Sequence, residues 1–77
     1  MSQQNSVVLE LTADEALVLF DWLARANEAK RLQFEDQAEQ RVLFDLEAQL
    51  EKLLAAPLAA AYPTLLREAR ARVRDAQ

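Results

Sequence analysis

Carboxylates are the side chains through which this 77-residue chain could do chemistry. Glu35, Asp36 and Glu39 are close in sequence, and Glu47 and Glu51 are spaced to share one face of a helix. Grouped carboxylates can hold a divalent cation, or act as general acid and base where an apolar pocket shifts their pKa. The chain has no histidine, no cysteine and no glycine for a calcium loop. We therefore interpret these carboxylates as capping and solvated groups, and we predict no catalytic residue, no metal site and no cofactor.

Aromatic side chains could form a different kind of site. Phe20 and Trp22 fall in one predicted helix, and Phe34 and Phe44 lie around the next. Such side chains fill a core or act as anchors in a partner's pocket. We favour core packing, with Trp22, Phe34 and Phe44 as possible anchors for a partner protein. Tyr62 is expected to pack its ring under the last helix with its hydroxyl at the surface.

The arginines near the end of the chain could contact phosphates of a nucleic acid. They are Arg67, Arg70, Arg72 and Arg74. Because they are few and the formal net charge is −4, we do not expect nucleic acid as a partner. Residues 1–56 carry 11 acidic and 5 basic side chains, whereas residues 57–77 carry 2 acidic and 4 basic ones. The basic end either docks on the acidic part or remains a solvated helix with weak surface ion pairs.

Several classes of protein are disfavoured by composition. Without glycine, the phosphate-binding loops of the Walker A and dinucleotide-binding kinds are excluded. The first residues lack the basic and then apolar pattern of a secretory signal, and no apolar run approaches the roughly 20 residues of a membrane helix. The absence of cysteine suits a reducing compartment. We expect a cytoplasmic, bacterial-type protein without membrane contact.

Residues 6–11 have the composition of a β-strand and follow a terminus, residues 1–5, that we expect to be disordered. Alternation places Val7, Leu9 and Leu11 on one apolar face. No second strand is evident elsewhere in the chain, and an unpaired strand exposes its amides and carbonyls. We therefore predict an antiparallel two-stranded ribbon with a second copy, and hence a homodimer.

The first helix is predicted over residues 13–31, after a capping box formed by Thr12 and Glu15. Its apolar side chains cover most of the circumference, and a polar stripe remains through Asp14, Asp21, Arg25 and Glu28. One neighbouring helix is too narrow to cover that apolar surface, so we also place helix one in the dimer interface. The predicted interface residues are Val7, Leu9, Leu11, Leu17, Phe20 and Leu23.

Two further helices complete the predicted single domain of residues 1–77. Asp36 and Glu39 predict a second helix over residues 36–55, ended by Pro57. Pro63 suits the first turn of a third helix over residues 63–74. The expected fold is mainly α: a short strand, an antiparallel helical hairpin and a short last helix.

The order strand, helix, helix over residues 6–54 resembles the ribbon-helix-helix repressors and antitoxins, whose paired strands enter the DNA major groove. The outward face here would carry Ser6, Val8 and Glu10, where that family has base-reading residues, and the turn before helix two lacks the family's glycine. A second resemblance rests on residues 11–17, 20–23, 46–47 and 50–52. These look like segments of short, acidic, helical bacterial proteins of unassigned function, which implies a helical hairpin and carries over no site residue.

The functional expectation follows from the absence of catalytic residue types and from the oversized apolar helix. We expect a non-enzymatic, homodimeric protein-interaction or regulatory module, whose partner is a second copy of the chain, with another protein as a candidate further partner. The alternative is a DNA-binding regulator or antitoxin of the ribbon-helix-helix kind.

Overall fold

The computed structural model describes residues 5–54 and 60–76, and this part of the chain folds into three helices. Helix α1 spans Ala13–Glu28, α2 spans Gln37–Leu53 and α3 spans Tyr62–Arg74. Alanine and leucine, with 15 and 14 copies, dominate a chain without glycine, which favours helix along its length. Residues 1–4, 55–59 and 77 lie outside the described ranges. They include most of the predicted disordered termini, and also Pro57, the expected end signal of α2.

The helices begin at the capping signals in the sequence. The Thr12 hydroxyl accepts from the Glu15 amide at 3.0 Å, and the Glu15 carboxylate accepts from the Thr12 amide at 2.9 Å. At the start of α2, Asp36 Oδ1 accepts from the Ala38 amide at 2.7 Å. These bonds satisfy amides that the first turn of a helix leaves without a partner. Pro63 lies in the first turn of α3, where its missing amide costs no hydrogen bond.

Helix α1 ends three residues earlier than residue 31, the predicted end. Lys30 has a φ of 56°, in the left-handed region. The Lys30 amide donates to the Asn27 carbonyl at 3.2 Å, and the Arg31 amide donates to the Ala26 carbonyl at 3.0 Å. This is the hydrogen-bond pattern of a Schellman motif, with lysine at the position that glycine usually takes. It turns the chain away from α1 and leads it towards α2.

The predicted strand over residues 6–11 is wrong. The structure has no strand within residues 5–54 and 60–76, so the two-stranded ribbon has no counterpart in the fold. Residues 5–11 form neither a helix nor a strand, and Val7 and Leu9 are 87% and 81% exposed. The physical reason is that alternation defines which side chains share a face, whereas a strand exists only through hydrogen bonds to a second strand. The described chain offers residues 6–11 no such partner.

Helix α1 is packed on two sides by helices of its own chain. On one side, Leu17 joins Leu66 and Ala69 of α3 in the buried core. On the other side, Leu23 and Ala26 are buried, and Ala26 lines a shallow cleft together with Gln40 of α2. Helices α2 and α3 therefore cover part of the broad apolar surface of α1 within the single chain, whereas Trp22 remains 47% exposed.

Helix α2 is packed much more lightly than α1. Among its 17 residues only Leu50 is buried, although its apolar side chains follow a helical period. Val42, Phe44 and Leu53 are exposed, and Leu53 is 81% exposed. Burial of apolar surface is the main source of stability for such a helix. In the single chain, many apolar side chains of α2 stay exposed and so contribute little to stability.

Candidate interaction surface

A buried carboxylate links α1 to α3. Asp21 is only 8% exposed and accepts three hydrogen bonds from side chains. Tyr62 Oη donates to Oδ1 at 2.7 Å, and Arg25 Nε and Arg70 Nη2 donate to Oδ2 at 2.6 and 3.1 Å. We call these four residues the Asp21 cluster. Two of the donors come from α3, so the cluster fixes the position of that helix on α1.

The electrostatics of the Asp21 cluster keep the carboxyl ionised and the phenol protonated. Burial raises the pKa of Asp21, but the hydrogen bonds from Arg25 and Tyr62 and the charges of Arg25 and Arg70 outweigh it, so the pKa lies below its usual value. Burial, together with the hydrogen bond to Asp21, raises the pKa of Tyr62 to about 12. Both shifts move the groups away from titration near neutral pH. The cluster is therefore suited to holding helices together rather than to transferring protons.

A second ion pair joins the same two helices. Arg72 donates from Nε and Nη2 to the two carboxylate oxygens of Asp14, at 2.7 and 2.9 Å. This bidentate geometry is the strong form of an arginine–carboxylate contact. The hydrogen bonds from Arg72 lower the pKa of Asp14. The polar stripe through Asp14 and Asp21 thus faces α3, and the basic end of the chain docks on the acidic part.

The sequence predicted a polar stripe through Asp21 on a helix at the dimer interface, and a Tyr62 hydroxyl at the surface. In the structure Asp21 is buried, and the Tyr62 hydroxyl is hydrogen-bonded to it between α1 and α3. The contacts join residues 41 and 49 positions apart, and no local pattern encodes such a pairing. A usable signal did exist. Asp21 shares a helical face with Leu17, and the last helix supplies arginines as counter-charges.

The grouped carboxylates near the start of α2 act as caps. Asp36 accepts from the Ala38 amide, and Glu39 Oε1 accepts from the Glu35 amide at 2.8 Å. Over residues 5–54 and 60–76, no group of three or more potential ligands is placed to hold a metal ion. Every buried side-chain nitrogen or oxygen in these ranges also has a hydrogen-bond partner. In the described part of the chain, therefore, no buried polar side chain lacks a hydrogen-bond partner that a ligand could supply.

An apolar surface lies where the N-terminal segment, residues 5–11, meets α1 and α2. It is a groove of about 530 Å³ with few polar side chains. We call it the N-terminal groove. Its lining residues are Val7, Leu9, Glu10, Leu11, Ala16, Leu19, Leu46, Gln49, Leu50 and Leu53.

The predicted interface residues fall into two groups. Val7, Leu9 and Leu11 line the N-terminal groove and are exposed. Leu17 and Leu23 are buried in the core of the single chain, and Phe20 is half-buried. Only the first group is therefore available to a partner without opening the fold.

The three predicted partner anchors lie on different elements of the fold: Trp22 on α1, Phe44 on α2 and Phe34 between them. Trp22 and Phe44 are exposed on different helices. Phe34 is half-buried and lines a separate shallow groove with Val42 and Leu43. The N-terminal groove contains none of the three.

The three helices, within the part of the chain that the structure describes, lack the length and apolar composition needed to cross a membrane. No family model, no curated protein and no solved structure matches the chain. What the protein does must therefore be inferred from its own surfaces.

Proposed function

We propose that the protein is a small, non-enzymatic homodimer that acts as a protein-interaction or regulatory module in the bacterial cytoplasm. The observation that carries this proposal is the open N-terminal groove, whose walls are mostly apolar. In the described residues, the buried polar side chains all have hydrogen-bond partners. A chain without cysteine fits a reducing compartment.

The exposed apolar side chains of the groove support association. Val7, Leu9 and Leu53 all line the groove, and each is more than four-fifths exposed. Burying such side chains against a partner is favourable. A chain of this size also has a small core, and a second subunit is a common way to add stability.

The polar groups of the chain support binding rather than catalysis. The Asp21 cluster satisfies its buried carboxylate with three donors, and the carboxylates near the start of α2 serve as caps. The DNA-binding alternative has no observation in its favour. Its base-reading element is a strand ribbon, and residues 5–54 and 60–76 contain no strand.

Leu53→Glu tests the homodimer. Leu53 lines the N-terminal groove and is 81% exposed, so the substitution removes little packing from a single chain. We expect the wild-type protein to sediment at twice the chain mass and Leu53→Glu to sediment at the single-chain mass, because a charge in an apolar interface is costly.

The matched control is Ala48→Glu, which adds the same charge at another exposed position of α2, outside the groove. This variant should keep the mass of a dimer. A wild-type protein that sediments as a single chain at all concentrations would contradict the proposal, and so would a Leu53→Glu variant that stays dimeric.

A further inference from the structure

We propose that residues 5–11 of each chain occupy the N-terminal groove of a second copy. The segment would pack through its side chains against α1 and α2 of that copy, without pairing to another strand. This inference rests on the proposed homodimer and names the element that each subunit contributes to the other.

The N-terminal segment contacts little of its own chain. Val7 and Leu9 line the groove, yet both side chains are more than four-fifths exposed. In the described residues, the backbone of residues 5–11 makes no hydrogen bond to another segment. The apolar side chains of this segment are therefore largely left in solvent within a single chain.

The segment and the groove have matching patterns. Val7, Leu9, Glu10 and Leu11 line the groove, whereas Val8 does not. The three apolar residues among them, Val7, Leu9 and Leu11, follow the two-residue period by which an extended segment turns one row of side chains towards a surface. The groove offers leucines from both helices, Leu19 from α1 and Leu46 from α2, with the exposed Leu53 at its end. One chain thus carries an apolar row and an apolar groove, which is what a self-complementary, two-fold contact requires.

The distribution of charge favours exchange of this segment over direct contact between two α2 helices. Residues 35–53 contain six acidic and two basic side chains, a net charge of −4 that equals the net charge of the whole chain. Two α2 helices face to face would bring these like charges within the screening length of about 10 Å. Residues 5–11 carry only one charge, on Glu10. Exchange therefore covers the apolar groove without stacking two acidic helices.

The N-terminal segment is long enough to cover the α2 wall of the groove. Seven extended residues span about 23 Å. The α2 wall of the groove, from Leu46 to Leu53, covers about 10 Å along the helix axis. A segment that begins at the Thr12 cap is therefore about twice as long as the α2 wall that it would cover.

Val7→Asp and Val8→Asp form a matched pair of test variants. Both residues are valines more than four-fifths exposed, adjacent in sequence, and only Val7 lines the groove. We expect Val7→Asp to raise the dimer dissociation constant at least 10-fold in sedimentation equilibrium and Val8→Asp to leave it within about twofold. Both should keep wild-type circular dichroism. A dimer equally stable in both variants overturns the exchange.

Cysteine cross-linking identifies the contact directly, because the native chain has no cysteine. An isotopically heavy Leu9→Cys chain is mixed with a light Leu46→Cys chain and oxidised mildly. Exchange predicts a disulfide between residue 9 of the heavy chain and residue 46 of the light chain, identified by mass spectrometry. Ala48→Cys replaces Leu46→Cys as the control, and it should give little of this product.

The other outcomes separate the two proposals. A dimer that links only residue 9 to residue 9, or only residue 46 to residue 46, keeps the homodimer and overturns the exchange. A dimer in which the disulfide between residues 9 and 46 forms no more than the product of the Ala48→Cys control also keeps the homodimer and overturns the exchange. A wild-type chain that stays monomeric overturns both, and leaves the groove to a different protein, for which a basic amphipathic helix would be complementary in charge.

Discussion

Asp21 illustrates how much one side chain contributes to a small helical protein. It lies on α1 between the apolar core and the arginines of α3, and it is the only buried charged residue in the described ranges. Removing one partner of such a group leaves the others without a counter-charge. The energetic cost of removing Asp21 is smaller than in a fully buried cluster, because Arg25 and Arg70 are half-exposed and remain in contact with water.

At the residue scale, Asp21→Asn should reduce the free energy of unfolding by about 2 kcal/mol, because charged hydrogen bonds to Arg25, Tyr62 and Arg70 are weakened together. Urea denaturation followed by circular dichroism measures the change. Asp75→Asn is the control, since Asp75 pairs with Arg74 at the surface, where such pairs contribute little. Equal stability of the two variants would show that the Asp21 cluster does not hold α3 in place.

At the element scale, the docking of α3 on α1 depends on two ionised carboxylates. The pKa values of Asp14 and Asp21 are both below the ordinary value of 3.8. The unfolded chain then binds more protons than the folded chain at low pH, so stability is present above about pH 3.8 and is lost as the pH falls through the lower folded values.

We therefore expect the melting temperature to fall as the pH drops below about 3.8, and to fall less steeply in an Asp14→Asn, Asp21→Asn double variant. Calorimetric scans from pH 6 to about pH 2 measure both slopes. Parallel slopes in the two proteins would mean that these carboxylates are not the source of acid sensitivity.

The connection between α1 and α2 contains one strained backbone conformation, at Lys30, which a substitution can relieve. Lys30 occupies the left-handed region, which costs a residue with a Cβ atom roughly 1–2 kcal/mol and costs glycine almost nothing. Lys30→Gly should raise the free energy of unfolding by about 0.5–1 kcal/mol, after allowance for the greater freedom of glycine in the unfolded chain. The measurement is the urea midpoint at unchanged slope. Lys30→Ala keeps the Cβ atom and should show no gain.

At the scale of the whole molecule, stability is unevenly distributed. Helices α1 and α3 share a buried core, the Asp21 cluster and the Asp14–Arg72 pair. Helix α2 contributes one buried residue and borders the open N-terminal groove. A second copy in that groove would stabilise the folded state by mass action, so the homodimer also predicts a melting temperature that rises with protein concentration. A concentration-independent value would agree with a single chain instead.

The sequence alone predicted what depends on neighbours a few residues apart. Thr12 and Glu15 determine where α1 begins, Asp36 determines where α2 begins, and Pro63 marks the first turn of α3, because caps and turns are contacts between residues close in the chain. Part of the candidate surface was predictable for the same reason. The alternation of Val7, Leu9 and Leu11 identified one apolar row, and that row lines the groove.

Only the tertiary structure decided which of these elements meet. The same alternation predicted a strand that does not form, because a strand depends on a partner that the pattern does not identify. Leu17 and Leu23 were predicted at a dimer interface and Asp21 on a polar stripe, yet all three are buried within the single chain, where α2 and α3 pack against α1. The physical reason is that burial and ion pairing depend on residues 41 or more positions apart, whose approach is a property of the packed molecule.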